Sequence, residues 1–196
     1  MARSTLRYRE EAHGIFSFFL YEPAVCQAIV ARIRRLRWSV ARVQLEKPAG
    51  GYATYTRRRT RSADILTSPR AKQLCRDFDL RVREVVHPLI DRLWQVKLVE
   101  TCGTQIIRYR KGGRYVAHAD AGVDFADRYF SVVCYLNDDF TGGLTSFPSL
   151  GYSTRPQTGK AIIFPSRYFH CGEPVSSGEK FILLTWVCGP IPINWA

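Results

Sequence analysis

The sequence predicts an α+β protein with an antiparallel β-core and helices packed on one side. The 196-residue chain carries helical stripes in its first half. After about residue 97, short runs rich in β-branched and aromatic residues are separated by turn residues. Strands that follow one another without intervening helices favour an antiparallel sandwich or barrel. We expect a single domain over 1–196, with helical support and a lid loop in about 1–97 and a β-core holding the functional residues in about 98–190.

The first half is interpreted as one strand, two helices and a mobile loop. The apolar segment 14–21 suggests a strand, and Pro23 suits the first turn of a helix. The first helical stripe consists of Val25, Ile29, Ile33 and Leu36. Segment 47–60, rich in Gly, Pro, Tyr and Arg, is typical of a loop. Ser68 and the following proline predict the start of a second helix, with a kink at Pro88. The second stripe consists of Leu74, Phe78, Val82, Val85, Leu89 and Leu93.

The second half contains six apolar runs of strand length. They are TQIIRYR (104–110), RYVAHAD (114–120), YFSVVCYL (129–136), LTSFP (144–148), AIIFP (161–165) and KFILLTWV (180–187). Each is bounded by turn residues, as expected for strands of the core.

The net charge of +12 is the unusual bulk property of the chain. It is concentrated in RIRRLR (32–37) and RRRTR (57–61). Such a balance favours an anionic partner, namely nucleic acid, an acidic carrier protein, or a small molecule with a carboxylate or phosphate. A solvated basic face that only keeps the protein soluble is the alternative.

Apolar patterning and cysteine spacing bear on the cellular compartment. No apolar run reaches the length of a membrane span, and the first residues form no signal-peptide pattern. We therefore expect a cytoplasmic protein with no membrane partner. The six cysteines form no C-x-x-C pair, so a zinc ribbon or thioredoxin-type motif is excluded and reduced thiols are expected.

A histidine and an aspartate in the segment 112–120 raise the question of a metal site. Residues two apart in a strand project to the same face, so His118 and Asp120 can bind one metal ion. Of the other histidines, His13 lies in a charged N-terminal stretch and His87 in a helix before a proline. His170 follows an apolar strand of the β-core. Two histidines and one carboxylate are the ligand set of non-haem Fe(II) oxygenases.

Lys180 begins the last apolar run, ten residues after His170. A lysine among apolar neighbours is not expected to be buried without an anionic partner. A dicarboxylate co-substrate such as 2-oxoglutarate would supply that partner.

Five elements, in order, resemble the Fe(II)/2-oxoglutarate dioxygenases, specifically the prolyl 4-hydroxylase-like group. RYRKGGRYVAHAD (108–120) is similar to the family's R-Y-x-x-G-x-x-Y-x-x-H-x-D run. RYFSVVCYLND (128–138) is similar to its R-hydrophobic-Y-L-N strand, and GGLTSFP (142–148) to its G-G-x-T-x-F-P turn. The segment 159–187 contains the G-x-A-hydrophobic-F run with the distal histidine, then G-x-P-V and the lysine. The resemblance covers most of residues 104–188, and FLYEPAVCQAIV (19–30) is weakly similar to the family's N-terminal entry.

The resemblance implies a double-stranded β-helix (jelly-roll) fold and a set of functional residues. It implies Fe(II) bound by His118, Asp120 and His170, with 2-oxoglutarate and O2 as co-substrates and ascorbate as a stimulant. The implied 2-oxoglutarate-binding residues are Lys180, Tyr135, Tyr109 and Thr145. The implied substrate-contacting residues are Tyr115, Arg128 and Trp186, to which the basic segment adds Arg61.

The implied reaction is hydroxylation of an unactivated C–H bond with release of succinate and CO2. The substrate stays open among small-molecule, carrier-tethered and peptidyl (prolyl-like) compounds, anionic or amino-acid-derived. A nucleic-acid-modifying oxygenase is less favoured, because such relatives use an arginine where this chain has Lys180. A non-enzymatic binding module on a decayed oxygenase fold is a further alternative. Without G-x-S-x-G or P-loop motifs, hydrolase and nucleotide-enzyme classes are excluded.

Overall fold

A computed structural model describes residues 6–46, 52–56, 58–98, 100–122 and 125–190. Its first half alternates short strands with two helices. These elements are β1 (Tyr8–Ala12), β2 (Ile15–Phe19), α1 (Pro23–Ile33), β3 (Trp38–Val40), β4 (Val43–Glu46), β5 (Tyr52–Tyr55), β6 (Arg61–Ser62), β7 (Asp64–Leu66) and α2 (Ala71–Trp94).

The second half is made of strands joined by turns, with one 3-10 turn at Pro148–Leu150. These strands are β8 (Glu100–Tyr109), β9 (Arg114–His118), β10 (Arg128–Tyr135), β11 (Thr141–Gly142), β12 (Thr145–Phe147), β13 (Tyr152–Thr154), β14 (Lys160–Pro165), β15 (His170–Gly172), β16 (Val175–Ser177) and β17 (Lys180–Cys188). The six strand-length runs predicted from the sequence all lie on strands of this half.

Two antiparallel sheets form the core. The large sheet has eight strands in the order β1-β2-β14-β10-β17-β8-β7-β3, and the small sheet has five in the order β13-β12-β15-β9-β6. The pairs β11–β16 and β4–β5 complete the described strands. The expected antiparallel architecture is confirmed.

The alternation of side chains along β10 shows how the large sheet separates two apolar layers. Phe130 and Val132 pack with the helices, whereas Val133 and Tyr135 pack in the cluster that also contains Phe147 of the small sheet. Successive side chains of a strand point to opposite faces, so a strand covered on both faces is apolar throughout. The helices therefore cover one face of the large sheet and the small sheet covers the other.

Helix α1 begins at Pro23 as predicted, but its buried stripe differs from the predicted one. Cys26, Val30 and Ile33 are buried, whereas Val25 is 44% exposed. Leu36 lies beyond the end of the helix. The helix is rotated because Cys26, which the predicted stripe omitted, packs as a small apolar residue.

Helix α2 begins at Ala71, three residues after the predicted Ser68. The Ser68 carbonyl accepts a 2.8 Å hydrogen bond from the Ala71 amide in the turn before the helix. The helix then continues through Pro88 to Trp94. Its buried residues are Ala71, Leu74, Phe78, Val82, Val86, Leu89 and Ile90. The predicted stripe is therefore largely confirmed, with Val86 more deeply buried than Val85.

The first half contains more strands than the one predicted. β1, β2, β3 and β7 extend the edges of the large sheet, and the two-residue strand β6 extends the small sheet. Part of the predicted loop 47–60 is the strand β5, which pairs with β4, while residues 47–51 and 57 lie outside the described residues. Strands this short carry too little periodicity to be recognised locally, and their partners are distant in the chain.

Cys102 and Cys188 are joined by a disulfide that links β8 to β17 across 86 residues of sequence. The other four cysteines, Cys26, Cys75, Cys134 and Cys171, are free. The expectation of reduced thiols is therefore wrong for one pair. No described helix has the length and apolar character needed to cross a membrane.

Candidate metal centre and active site

Two neighbouring strands of the small sheet bring three metal-binding side chains together. His118 ends β9, His170 begins β15, and the two are partners in the antiparallel pairing of these strands. Asp120 lies in the loop two residues beyond His118. The ligand atoms of the three side chains all lie within 4.8 Å of one another. His118 Nε2 is 3.4 Å from Asp120 Oδ1, and His170 Nε2 is 3.6 Å from Asp120 Oδ2.

Backbone carbonyls orient both imidazole rings. His118 Nδ1 lies 2.8 Å from the Val116 carbonyl oxygen, and His170 Nδ1 lies 2.9 Å from that of Tyr168. A histidine that donates its Nδ1–H to a carbonyl keeps the Nε2 lone pair free for a metal. Both rings therefore direct their Nε2 atoms toward Asp120.

Two serines hold Asp120 in place. Ser131 Oγ donates a 2.7 Å hydrogen bond to Asp120 Oδ2 and lies 2.9 Å from Ser166 Oγ. The backbone amide of Asp120 donates to the Ser166 carbonyl at 2.8 Å. Such contacts to the outer side of a ligand restrict its rotation and set the direction of its lone pairs.

The protonation states of the cluster suit a divalent cation. Burial alone would raise the pKa of Asp120, but the neighbouring imidazoles of His170 and His118 and the hydrogen bond from Ser131 hold that pKa well below its usual range. Burial lowers the pKa of His170 and so favours the neutral ring. An ionised carboxylate with a neutral imidazole is the form that binds metal. The donor set fits Fe(II) of the type with two histidines and one carboxylate.

Lys180 is a buried ammonium group without an ion-pair partner among the described residues. Only 3% of its surface is exposed, and its Nζ donates a 2.6 Å hydrogen bond to the Gly143 carbonyl. Burial lowers the pKa of Lys180 to about 7. The Glu173 carboxylate favours the charged form of Lys180 without forming an ion pair with it, so a carboxylate of a bound molecule would be its direct partner.

The surroundings of Lys180 contain the other residues predicted to bind 2-oxoglutarate. Its Nζ lies 5.5 Å from the ring centre of Tyr109 and 5.3 Å from that of Tyr135. The Tyr135 hydroxyl donates a 2.8 Å hydrogen bond to Thr145 Oγ1. Gly143 has a φ of +64°, and a Cβ there would lie 2.9 Å from the Phe140 ring. Glycine is thus required for the turn that presents the carbonyl to Lys180.

A cavity of about 740 Å³ opens onto the metal-binding cluster. His118 and Asp120 line it, and so do the four residues predicted to contact substrate, which are Tyr115, Arg128, Trp186 and Arg61. The volume is that of a pocket for a small molecule or a side chain. The structure therefore places all four beside the metal-binding cluster.

Arg128 and Tyr115 are positioned by stacking. The Arg128 guanidinium lies 3.8 Å from the ring centre of Phe125 and 3.7 Å from that of Trp186, and its Nη1 donates to the Asp120 carbonyl at 3.2 Å. The Tyr115 ring stacks on His118 with centres 3.6 Å apart. The cavity wall is thus built directly on two of the three metal-binding residues.

Several residues of the site were missed by sequence reasoning. Ser131 had a signal, because it is a hydroxyl within the otherwise apolar run 129–136. Gln105 and Phe125 line the cavity but had no signal. Their roles depend on which strands and loops meet there, and a strand glutamine or a loop phenylalanine is common in any sequence.

Comparisons with known proteins agree with this geometry. Residues 104–188 match the family model described as the 2OG-Fe(II) oxygenase superfamily. The matched segment contains the metal-binding cluster and Lys180. Residues 104–188 are therefore similar to the 2OG-Fe(II) oxygenase superfamily. The superfamily implies Fe(II), 2-oxoglutarate and O2 as the cofactor and co-substrates, which fits the donor set found here.

Similar sequences include proteins named as prolyl 4-hydroxylases and PKHD-type hydroxylases. A candidate prolyl 4-hydroxylase of Acanthamoeba polyphaga mimivirus is 32% identical over 103 residues, which is 42% of this chain and 43% of that protein. A PKHD-type hydroxylase of Prochlorococcus marinus is 29% identical over 89 residues, 44% of this chain and 40% of that protein. The matched regions thus span less than half of these relatives.

Solved structures share the fold over most of the chain. A Pseudomonas putida prolyl-4-hydroxylase has a TM-score of 0.66 at 20% identity, covering 90% of this chain and 93% of that one. A viral collagen prolyl hydroxylase from Paramecium bursaria Chlorella virus-1 has a TM-score of 0.63 at 17% identity, covering 90% and 96%. These likenesses confirm the double-stranded β-helix fold with an α+β composition.

Proposed function

We propose that the protein is a hydroxylase that uses Fe(II) and 2-oxoglutarate. The observation that carries the proposal is the convergence of His118, Asp120 and His170, with ligand atoms within 4.8 Å of one another. The buried Lys180, without an ion-pair partner among the described residues, supports it. In the overall reaction one oxygen atom of O2 enters an unactivated C–H bond of the substrate. The other enters succinate as 2-oxoglutarate loses CO2.

The residues have separate roles in this proposal. His118, Asp120 and His170 would hold Fe(II), which together with 2-oxoglutarate supplies the O2 activation that no side chain can perform. Lys180 would pair with the carboxylate of 2-oxoglutarate remote from the metal, assisted by the hydroxyls of Tyr135 and Thr145. Tyr109 would close the same pocket from the other side of Lys180. Burial of these groups excludes water and strengthens each charge interaction.

The cavity beside the cluster would bind the substrate. Tyr115 and Arg128 would decide which C–H bond lies near the metal, because both are held against metal-binding residues. Thr54 of β5 and Thr56 line the same cavity. This position supports the expectation that the segment 57–61 closes over substrate, although Arg57 lies outside the described residues.

The substrate class in this proposal is an amino-acid-derived, peptidyl or natural-product compound, small or carrier-tethered, with a negative charge. The net charge of +12 supports an anionic partner. Prolyl hydroxylation is what three of the similar proteins are named for, and it is one member of this class. A cytoplasmic location remains a prediction.

The visible spectrum of the protein mixed anaerobically with Fe(II) and 2-oxoglutarate tests the proposal. A weak metal-to-ligand charge-transfer band is expected for the wild type and should vanish in His118→Ala. His13→Ala is the matched control, because His13 is exposed and far from the cluster in sequence. A screen of candidate substrates for coupled succinate release then identifies the class.

Two results would count against the proposal. Absence of the band, with neither iron nor 2-oxoglutarate bound, would favour a binding module that has the fold without the chemistry. Succinate release stimulated by single-stranded nucleic acid but by no amino-acid-derived compound would favour the nucleic-acid-modifying alternative.

A further inference from the structure

The cavity beside the metal-binding cluster is lined by more cationic than anionic groups. Arg42, Arg61 and Arg128 line it. Among the described lining residues, the one carboxylate is Asp120, and its charge is directed at the metal-binding cluster. A ligand in this cavity therefore meets a positive field that no described side chain neutralises.

Arg61 is the buried member of this set. Its exposed fraction is 7%, and no carboxylate of the described residues lies within ion-pair distance. Nη1 donates to the Arg42 carbonyl at 3.2 Å, and Nη2 donates to Gln105 Oε1 at 3.1 Å. Nε is buried and finds no acceptor among the described residues. Burying a guanidinium that has only neutral partners and one free N–H costs free energy, unless a ligand supplies the missing acceptor and negative charge.

Trp186, in the wall of the same cavity, has a second buried donor without a partner. Its Nε1 is also buried without an acceptor among the described residues. Trp186 and Leu184 line the cavity, and Leu184 is the register partner of Gln105, which holds Arg61. Both free groups are N–H donors, so the complementary ligand group is an acceptor, and the guanidinium favours a negative one.

Arg61 is connected to the metal-binding cluster through the side chain of Tyr115. β6 pairs with β9, where Arg61 is the partner of Tyr115. The Arg61 guanidinium lies 4.9 Å from the Tyr115 ring centre, and Tyr115 stacks on His118. A ligand group bound at Arg61 is therefore one aromatic ring away from a metal-binding histidine.

We propose that the Arg61 guanidinium, in the wall that it shares with Trp186, forms an anion subsite that binds a free carboxylate of the substrate. The inference rests on the proposed hydroxylase function and narrows its substrate class. An internal residue of a peptide has an amide in place of its carboxylate, and an amino acid on a carrier has a thioester. The substrate is therefore a free acid, such as an amino acid or a small natural product with a carboxylate.

The experiment compares three ligands of similar shape on the anaerobic protein loaded with Fe(II) and saturating 2-oxoglutarate. Benzoate, neutral benzamide and phenyl phosphate are titrated, with dissociation constants from ligand-observed NMR. One charge-assisted contact corresponds to about tenfold in affinity or more, so benzoate should bind at least about tenfold more tightly than benzamide. The preference should disappear in Arg61→Met and shrink in Trp186→Phe, which keeps a ring but lacks the N–H.

Arg59→Met is the matched control, because Arg59 belongs to the same basic segment but is exposed. It should keep the full benzoate preference. The charge-transfer band and the affinity for 2-oxoglutarate are measured on every variant. Both should be unchanged in Arg61→Met, which separates the subsite from the proposed function. If the band is absent from the wild type, the proposed function fails, while the benzoate preference is still measured on the metal-free protein.

Four outcomes would overturn the proposal. Equal binding of benzoate and benzamide, or no saturable binding of benzoate, would remove the subsite. If Arg61→Met still prefers benzoate over benzamide, benzoate binds at the metal and not at Arg61. Weaker 2-oxoglutarate binding in that variant would assign the guanidinium to the co-substrate. If phenyl phosphate binds more tightly than benzoate and its binding depends on Arg61, the subsite recognises a phosphate and not a carboxylate. Should Arg61→Met fail to fold, Trp186→Phe, in which the benzoate preference should shrink, carries the comparison.

Discussion

Ser131 illustrates how one polar residue in an apolar strand controls the chemistry of a neighbouring loop. It is fully buried on β10, where a hydroxyl is costly unless it is hydrogen-bonded. Its bond to Asp120 both satisfies the hydroxyl and orients the carboxylate between the two histidines. In the proposed function, the residue would act on the metal site through Asp120 without reaching the metal itself.

Ser131→Ala should weaken Fe(II) binding by about 10- to 100-fold, because loss of a contact behind a metal ligand usually costs that much affinity. An anaerobic titration with Fe(II), followed by the charge-transfer band in the presence of 2-oxoglutarate, measures the effect. Ser176→Ala is the control, since Ser176 is exposed. Unchanged affinity in Ser131→Ala would show that Asp120 is oriented by its backbone alone.

In the proposed function, Lys180 would give the binding of 2-oxoglutarate a pH dependence with a definite sign. Burial lowers the pKa of the free ammonium to about 7, and a bound carboxylate would raise it again. Binding then takes up a proton at pH values above the pKa of the free group. The affinity is therefore highest below about pH 7 and falls as the pH rises.

We expect the dissociation constant of 2-oxoglutarate to increase by up to about tenfold per pH unit above about 7. The measurement is the titration of the Fe(II)-loaded protein at a series of pH values. In Lys180→Arg the guanidinium stays protonated throughout, so any remaining binding should lose this slope. A wild-type affinity that is independent of pH would contradict the role of Lys180.

At the scale of secondary-structure elements, the pairing of β9 with β15 creates the metal site. His118 and His170 are 52 positions apart in numbering but are direct partners across the two strands. The loop that carries Asp120 then lies against β10, where Ser131 bonds the Asp120 carboxylate. Helix α2 contributes differently, because it covers the opposite face of the large sheet.

Phe78 lies at the centre of the buried face of α2 and has no exposed surface. Phe78→Ala should lower the free energy of unfolding by about 3–5 kcal/mol through lost burial and the cavity left behind. Leu80→Ala, on the exposed side of the same helix (56% exposed), should change it by no more than about 0.5 kcal/mol. Denaturant unfolding of both variants provides the comparison.

Since α2 packs on the far face of the large sheet, the charge-transfer band of folded Phe78→Ala should match that of the wild type. A loss of the band in protein that remains folded would show that the helix positions the metal ligands. Equal destabilisation by Phe78→Ala and Leu80→Ala would contradict the packing of α2 described above.

At the scale of the whole molecule, the Cys102–Cys188 disulfide joins the beginning of β8 to the end of β17. It closes a loop of 86 residues that contains all three metal-binding residues and Lys180. A crosslink of long sequence separation stabilises mainly by restricting the unfolded chain. Trp186, which forms part of the cavity wall, is the strand partner of Cys102.

Reduction of this bond should lower the free energy of unfolding by about 2–4 kcal/mol, seen as a lower Tm of the wild type with dithiothreitol. Cys102→Ser should show the lower Tm without reductant and no further change with it. Cys75→Ser, which alters a free cysteine, should respond to reductant as the wild type does. If reductant leaves the Tm of the wild type unchanged, Cys102 and Cys188 are not bonded in solution.

The sequence by itself determined the β-core and the chemistry of the site. The apolar runs of 104–187 record which faces are buried, because side-chain alternation depends only on residues close together in the chain. The ordered motifs around His118, Asp120, His170 and Lys180 likewise indicated metal binding and a dicarboxylate before any contact was known.

Only the tertiary structure decided what depends on distant segments meeting. The N-terminal strands exist because they extend sheet edges formed by the second half, and the two residues of β6 have no periodicity of their own. The bond of Ser131 to Asp120, the pairing of Cys102 with Cys188 and the uncompensated burial of Arg61 have the same origin. Each follows from long-range strand pairing, whose free energy depends on the whole sheet and leaves no local pattern in the sequence.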